Sequence, residues 1–525
     1  MAECEANHSR CQSDIKRQKG VLRGIRFLHL GDKSVRLHDN VQPERYGCLS
    51  HCWGDGKELC KTTVQNRTCH VEAGILIEKL PKTYRDAVIM CKKLGIGYLW
   101  IDSLCILQGD KEDWEKQASR MSDVYENAYV TIAAVGAQDA SQGLFRSTPM
   151  SRTGSPLPGF PWIHVRQKVR LPETEEADYH TTTGDGWALY KRGWTFQELS
   201  LSPRVLHFGA EEVFWSCRTA TACEGAPESD RRILERILVN LSSPNISSGR
   251  LWYRIIEGYS LRNLTFGKDK FPAIAAFATR FQADRPGNRY VAGLWGNTLL
   301  PDLLWACLQA GPKCEPLRPI RPGIIPSWSW ASAKLPIRWS PNADYWQSIP
   351  CTEIMQITCN TRGSPILGDI LEAFLVLRAP VIKLCKDYCK ELGNYWKGVE
   401  GVPDHAVTLQ FETWDHDRDD LKRAYRRGDY HYSNQLSDAI AIPLITMEPD
   451  NREMGVRNAL LVAMKTPGVY TRAGVGRLFL LEELLDNSPK IPVDLRDKVR
   501  QSHEQWEGRF VHEMSRLERH VIKLV

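Results

Sequence analysis

Three short groups of residues within the first 200 or so positions carry side chains able to do chemistry. Ser50, His51, Trp53 and Gly54 follow one apolar run, Asp102, Ser103, Cys105 and Gln108 follow another, and Arg192, Trp194, Gln197 and Glu198 sit in RGWTFQE. Together they offer a guanidinium for a phosphate or carboxylate, indoles to stack on a planar base, and carboxylates to steady a sugar cation as its leaving group departs. From residue types alone the competing reading is scaffolding, with Arg192 paired to Asp102 or Glu198 and the tryptophans filling a core. Glu198 and Asp102 are the candidate catalytic groups. Ser50, Trp53, Gly54, Arg192, Trp194 and Gln197 are the candidate binding residues.

Other constellations carry less. Cys48, His51, Cys52, Cys60, Cys69 and His70 are ligand types in one short span, but their spacings fit no paired zinc-knuckle pattern, so no metal site is expected there. Cys105 stands near Asp102 without a nearby histidine and reads as a buried structural thiol. Walker, GxSxG, HExxH and dinucleotide fingerprints are absent from the sequence.

The elements that must position these groups can be read from pattern. Tyr46 to Trp53 is an apolar run ending at Gly54-Asp55-Gly56, a strand followed by a sharp turn. LPKTYRDAVIMCKKLG is a punctuated amphipathic helix, with Pro81 at its entry and Gly95 at its exit. Residues 98–103 form a buried strand that delivers Asp102 at its carboxyl end. Glu112 to Asn127 place Trp114, Ala118, Met121 and Tyr125 on one helical stripe, with Gln117 on the same inward face and Glu112 and Glu115 pointing away. A glutamine turned inward needs partners. Tyr129 to Ala134 is a further strand, so residues 46–134 predict strand, helix, strand, helix, strand around a parallel sheet.

The expected organisation is a leader over 1–44, whose GIRFLHLG pairs at a sheet edge, then an α/β domain over 45–223 with a loop-like insertion at about 137–185. A mainly helical, Trp-rich region over 224–350 and a mixed, β-rich region over 351–525 follow. In the third region IPSWSWAS alternates in the manner of an extended segment, and a charged helix is expected after Pro492. The 525 residues are 42% hydrophobic and 25% charged, an ordinary globular balance. A net charge of +6 without an arginine-rich arm gives no reason to expect nucleic acid, and no run is long and apolar enough for membrane insertion. The N-terminus lacks a secretory core, so an intracellular, cytoplasmic protein with reduced thiols is expected despite its sixteen cysteines.

These motifs resemble the fungal heterokaryon incompatibility (HET) domain proteins. The resemblance rests on YGCLSHCWG at 46–54, on Leu80 and Pro81 with Thr83, Asp86 and Ala87, on LWIDSLCI with Gln108, on Trp114, Gln117, Met121 and Tyr125, and on RGWTFQE with Ser202, Pro203 and Arg204. His51 stands where that family commonly has tyrosine, and Gly109 where an acidic residue is frequent. The resemblance implies a role in non-self recognition and regulated cell death, through self-association or a protein partner. It also implies a remote likeness to TIR domains, whose fold is a flavodoxin-like parallel sheet and some of which cleave NAD at the nicotinamide bond. NAD would then be a substrate, with no cofactor required. TIR hydrolases use a glutamate on a helix, whereas the inward position of the comparable helix here is Gln117. Glu198 or Asp102 would therefore have to supply the carboxylate, with Cys105, Gln108, Trp114 and Gln117 in support. The alternatives are a noncatalytic assembly module and a fold recruited to a biosynthetic small-molecule reaction.

Overall fold

The computed structural model describes residues 1–12, 20–54, 60–147, 155–165, 185–224, 248–264, 267–307, 325–333, 336–339, 348–366, 368–383, 395–397, 407–414, 439–447, 457–466, 469–480 and 519–525. The chain divides into two compact units, one of Met1–Ile246 with Arg262–Ala276, the other of Ser247–Leu261 with Phe277–Val525.

In the first unit, eleven strands follow in chain order: β1 (Phe27–Leu30), β2 (Ser34–His38), β3 (Gly47–Ser50), β4 (Ile75–Leu76), β5 (Tyr98–Ile101), β6 (Val130–Ala133), β7 (Ser155–Leu157), β8 (Phe160–Val165), β9 (Arg204–Phe208), β10 (Val213–Cys217) and β11 (Thr221–Cys223). Nine of them make one sheet in the order β11-β10-β9-β6-β3-β5-β1-β2-β4, while β7 and β8 form a separate hairpin within the expected insertion. Most of the remainder of that insertion lies outside the described residues.

The expectation of a parallel sheet holds for the middle only. β5, β3, β6 and β9 are parallel neighbours, and the flanking β1, β2, β4, β10 and β11 pair antiparallel. β1–β2 and β9–β10–β11 are joined by short connections, which permit only antiparallel pairing, whereas helices cross between the middle strands. β1 is an internal strand, held between β2 and β5, and not an edge.

The four parallel strands leave β3 for β5 on one side, then return past β3 to β6 and on to β9. The chain thus reverses direction between β3 and β6, and the carboxyl ends of strands at such a reversal are where open α/β sheets leave a crevice. All four residues of β3 are buried, as a strand covered on both faces requires.

Four helices serve this sheet: α1 (Lys82–Lys93), α2 (Lys111–Ala118), α3 (Met121–Glu126) and α4 (Gly193–Leu201). α1 buries Tyr84, Ala87, Val88 and Cys91. The single helix expected over 112–127 is broken into α2 and α3 at Ser119 and Arg120. The break lets Met121, Val124 and Tyr125 reach the core while Trp114 stays 38% exposed. Gln117 is buried as expected, and its Nε2 donates to Gly24 O at 3.1 Å.

The second unit answers for much of the tryptophan content. Trp252, on the helix Ser248–Ser260, and Trp330 both donate their indole N–H to Gly293 O, at 3.1 and 2.9 Å. Trp305 donates to Trp328 O at 3.0 Å and Trp339 to Asp302 O at 3.1 Å. Each ring thereby buries its apolar body and satisfies its one polar atom. IPSWSWAS is not extended: it turns through a short 3-10 helix, Trp330–Ser332, whose capping Ser329 accepts from Ala331 N. Both Trp328 and Trp330 are buried in that turn.

A separate ten-stranded sheet, built largely of antiparallel pairs, occupies the C-terminal part. The final strand, Arg519–Leu524, runs antiparallel to Asp369–Pro380. The helix expected after Pro492 and the charged run 415–427 lie outside the described residues. Among the described residues no helix is long and apolar enough to cross a membrane.

One ion pair ties α2 to the start of the sheet. Arg26 Nη2 donates to Asp113 Oδ2 at 2.5 Å and its Nε donates to Cys105 O at 2.7 Å, with both side chains largely buried. Arg26→Ala leaves the largely buried Asp113 carboxylate without its counter-charge, still accepting from Leu107 N at 2.8 Å, so urea unfolding of the first unit is expected to lose about 3 kcal/mol. An unshifted transition would show that the pair does not hold α2 in place.

Candidate functional site

Ser50 ends β3, and its Oγ donates to Glu198 Oε2 at 2.5 Å. Glu198 reaches that point from α4, whose first residue, Gly193, lies so near a neighbouring segment that a Cβ there would meet Leu264 Cδ2 at 2.4 Å. Gly193 N donates to Asn263 O at 2.8 Å, which sets the helix start against this segment. Glu198 is fully enclosed. Burial, then the Asp102 charge, push its carboxyl up to about 7, against the opposing pull of the Ser50, Arg192 and Tyr125 groups.

Asp102 follows β5 and opens the single helical turn Asp102–Cys105. Its Oδ1 accepts from Ser103 N at 2.7 Å and its Oδ2 from the Trp53 indole at 2.9 Å. Its side chain is 17% exposed, so unlike Glu198 it can meet a solute. Gly54, directly after Trp53, has φ +64°, and a Cβ there would meet Asp139 Cβ at 2.6 Å. Glycine is therefore required for the turn that presents Trp53. The residues just beyond it, including Asp55 and Gly56, lie outside the described residues.

His51 joins the two halves. Its Nε2 is 2.8 Å from Tyr84 OH, Tyr84 OH is 2.8 Å from Ser103 Oγ, and Ser103 Oγ donates to Cys60 O at 3.0 Å. Burial holds the imidazole down at about 4, so the ring is neutral at physiological pH. Assigning its proton to Nε2 lets each hydroxyl donate to the next acceptor in the row. Nδ1 then remains an acceptor, buried, without a hydrogen-bond partner in the structure and 3.8 Å from Asp102 Oδ1. Two acceptors facing one another at that distance form a slot for a group that donates to both, such as a water or a ligand hydroxyl.

Arg192, at the entry to α4, donates through Nη1 to the carbonyl of His51. It also lowers the neighbouring Cys52 thiol, although burial dominates and leaves that thiol up at about 11. Ser50, Trp53, Asp102, Arg192 and Glu198, from three separated stretches, are thus brought to one place.

The other expected residues sit elsewhere in the network. Gln197 turns from the carboxylates and accepts from Ala276 N at 3.3 Å. Trp194 donates to Asp269 Oδ2 at 3.4 Å and packs edge-on against Trp114 at 6.3 Å. Gln108 donates to Asp102 O at 3.3 Å and to Ile106 O at 3.1 Å, bracing the loop beneath Asp102. Cys105 is fully buried, its thiol pushed up to about 12, which fits a structural thiol. Among the cysteines and histidines of residues 48–70, Cys48 contacts Val124 O at 3.8 Å and His70 pairs with Thr62 at 3.0 Å.

Tyr84 and Tyr125 are not among the candidate site residues of the sequence, where each lies in an amphipathic helix. Their signal was present in type: a buried tyrosine must find a partner for its hydroxyl. Tyr125 OH donates to Leu49 O at 3.4 Å and also bonds the Glu198 side chain.

The Glu198 shift makes a measurable prediction. A carboxyl raised from 4.5 to about 7 on folding binds more protons folded than unfolded, so its contribution is present below pH 4.5 and is lost as pH rises toward 7. His51, lowered from 6.5 to about 4, works in the opposite direction over part of this range. Glu198→Gln keeps an oxygen for Ser50 and removes only the Glu198 titration. The stability of the variant relative to wild type should therefore rise between pH 4.5 and about 7 in paired urea titrations. A difference independent of pH would place the Glu198 pKa near its ordinary value.

Comparison with known proteins adds one match. Residues 46–198 match the family described as heterokaryon incompatibility protein (HET). No curated protein and no solved structure matches the chain. The matched span runs from Tyr46, at the entry to β3, to Glu198 itself, and it contains Ser50, His51, Trp53, Tyr84, Asp102, Tyr125 and Arg192. The site and the family match thus fall on the same residues, and the chain carries a HET domain over residues 46–198.

Proposed function

We propose that this chain is a heterokaryon-incompatibility-type protein of fungal non-self recognition and regulated cell death, and that its HET domain hydrolyses the nicotinamide–ribose bond of NAD. The observation that carries this reading is the pairing of two unlike carboxyl groups at the carboxyl ends of the parallel strands. Glu198 is enclosed and held near neutrality, whereas Asp102 is partly exposed beside Trp53. Carboxyl groups whose surroundings differ in this way can hold different protonation states at one pH, one neutral and one charged. The order of the four parallel strands is that of flavodoxin-like sheets, the fold of TIR domains, and the site lies at their reversal.

In this reading Arg192 attracts the NAD phosphates and Trp53 stacks on a planar base. The bond from nicotinamide to ribose C1′ breaks with its electron pair going to nicotinamide. The Asp102 carboxylate faces the developing ribosyl cation. A water held between Asp102 and His51 Nδ1 adds its oxygen to C1′ and gives its proton to Asp102. Glu198 accepts from Ser50 and keeps its own proton, leaving that side of the site polar without a second full charge. Self-association, or a partner in incompatibility signalling, would set the geometry that admits substrate.

A noncatalytic assembly module is favoured by a different observation. The polar groups of the site largely satisfy one another, as Ser50 does Glu198 and Trp53 does Asp102, and a closed network of that kind also suits scaffolding.

Nicotinamide release by the purified full chain, across protein concentrations, separates the two. The enzyme reading expects release that rises more than linearly with concentration, and a fall of at least about 100-fold in rate for Asp102→Asn with folding intact. No release at any concentration, with light scattering showing assembly, would replace the hydrolase by the module.

A further inference from the structure

Outside the matched span, four side chains that the proposed chemistry does not use converge on one point. Cys4 lies on the helix Ala2–Asn7, His8 immediately follows it, Cys11 lies in the helical turn Ser9–Gln12, and Cys217 ends β10. One ligand atom from each lies within 4.8 Å of all the others. Cys217 Sγ and His8 Nδ1 are 3.3 Å apart although 209 positions separate them in sequence. The three cysteines are buried and make a small cluster of their own, and His8 is half-buried.

Packing alone explains this poorly. Thiols can serve as small hydrophobes, but an imidazole nitrogen directed at their centre has no place in an apolar cluster. A Cys11–Cys217 disulfide would use two of the four groups and leave Cys4 and His8 without a reason to converge. A metal accounts for all four. Zinc bound at about 2.3 Å to sulfur and about 2.0 Å to nitrogen needs sulfur atoms about 3.8 Å apart, so the cluster has to contract by no more than about 1 Å.

The surroundings fit thiolate ligands as well. Ala220 N donates to Cys217 Sγ at 3.2 Å, and Thr219 Oγ1 lies 3.7 Å from Cys11 Sγ. Both belong to the turn after β10, and donors of this kind stabilise the negative charge on metal-bound sulfur. Three sulfurs and one nitrogen select zinc over oxygen-seeking cations.

We propose that Cys4, His8, Cys11 and Cys217 bind one structural zinc ion, which staples the N-terminal helices to the β9–β10 side of the first sheet. Four protein ligands close the tetrahedron, so the ion has no open position for a substrate and acts by holding the fold together. The three thiols lose their protons on binding and the imidazole binds neutral, leaving a net charge of −1 on the centre. Arg204 stands nearby, its Nη2 donating to Cys11 O at 3.1 Å, and it offers the compensating positive charge. Sequence spacing alone conceals the site, because Cys4, His8 and Cys11 form only three quarters of it.

Metal analysis of the full chain, purified under reducing conditions without added metal, tests the proposal. The expected result is about one zinc per chain, replaceable by cobalt(II) with thiolate-to-cobalt charge-transfer bands and the visible bands of a tetrahedral centre. His8→Ala and Cys11→Ser should lose the metal and lower the melting temperature, as should chelation of wild type. His8→Cys should retain the metal with the spectrum of four sulfur ligands, and Cys69→Ser, at an exposed cysteine outside the cluster, should leave metal content unchanged. Reduced, folded protein that takes up neither zinc nor cobalt would overturn the proposal, as would metal retained at full occupancy in both His8→Ala and Cys11→Ser.

Discussion

Glu198 imposes the central constraint on the first unit, because a carboxyl group shut away from water is tolerated only where donors surround it and its charge can be given up. Ser50 supplies a donor from the last position of β3, and the Tyr125 hydroxyl pairs with Glu198 from α3. For those groups to meet, β3 must lie between β5 and β6, α3 must face α4, and α4 must begin hard against the segment 262–264. Gly193 is what permits that last approach. The enclosed carboxyl thus depends on the order of the strands, the packing of two helices and one missing Cβ, and a change in any of them would leave it without partners.

Around that group the site is arranged with a gradient of enclosure. Glu198 and His51 are fully buried, and burial drives both toward their neutral forms. Asp102 and Trp53 stand at the partly exposed side, joined by a hydrogen bond that fixes the indole edge over the carboxylate. The row of hydroxyls from His51 through Tyr84 and Ser103 ties the two sides into one network. Such a network is rigid by construction, since each member has a single direction in which its proton can point.

The second unit solves a different problem. Its tryptophans are too large to be buried without also burying indole nitrogens, and three backbone carbonyls accept from four of them. Asp302 plays the organising part, accepting from Tyr253 OH at 2.7 Å and from Trp295 N at 2.8 Å while its backbone carbonyl accepts from Trp339. Burial raises its carboxyl to about 6, the same pressure felt by Glu198.

What the sequence determined by itself was local. Continuous apolar runs placed β3, β5 and β6, as strands covered on both faces require, and helical period placed α1, because core-facing residues recur every third or fourth position in a helix. Residue chemistry marked Ser50, Trp53, Asp102, Arg192 and Glu198, and the inward glutamine at 117 implied the partner it has in Gly24 O. The break between α2 and α3, the antiparallel edges of the sheet, the outward turn of Trp114 and the departure of Gln197 toward Ala276 were decided by tertiary packing. So were the convergence of Cys217 on Cys4, His8 and Cys11 and the closing of Tyr84 onto His51. The physical reason is the same throughout: periodicity reports which side of an element avoids water, but a hydrogen bond or a ligand cluster is a meeting of atoms from distant stretches, and only the folded chain brings them within 3 or 4 Å.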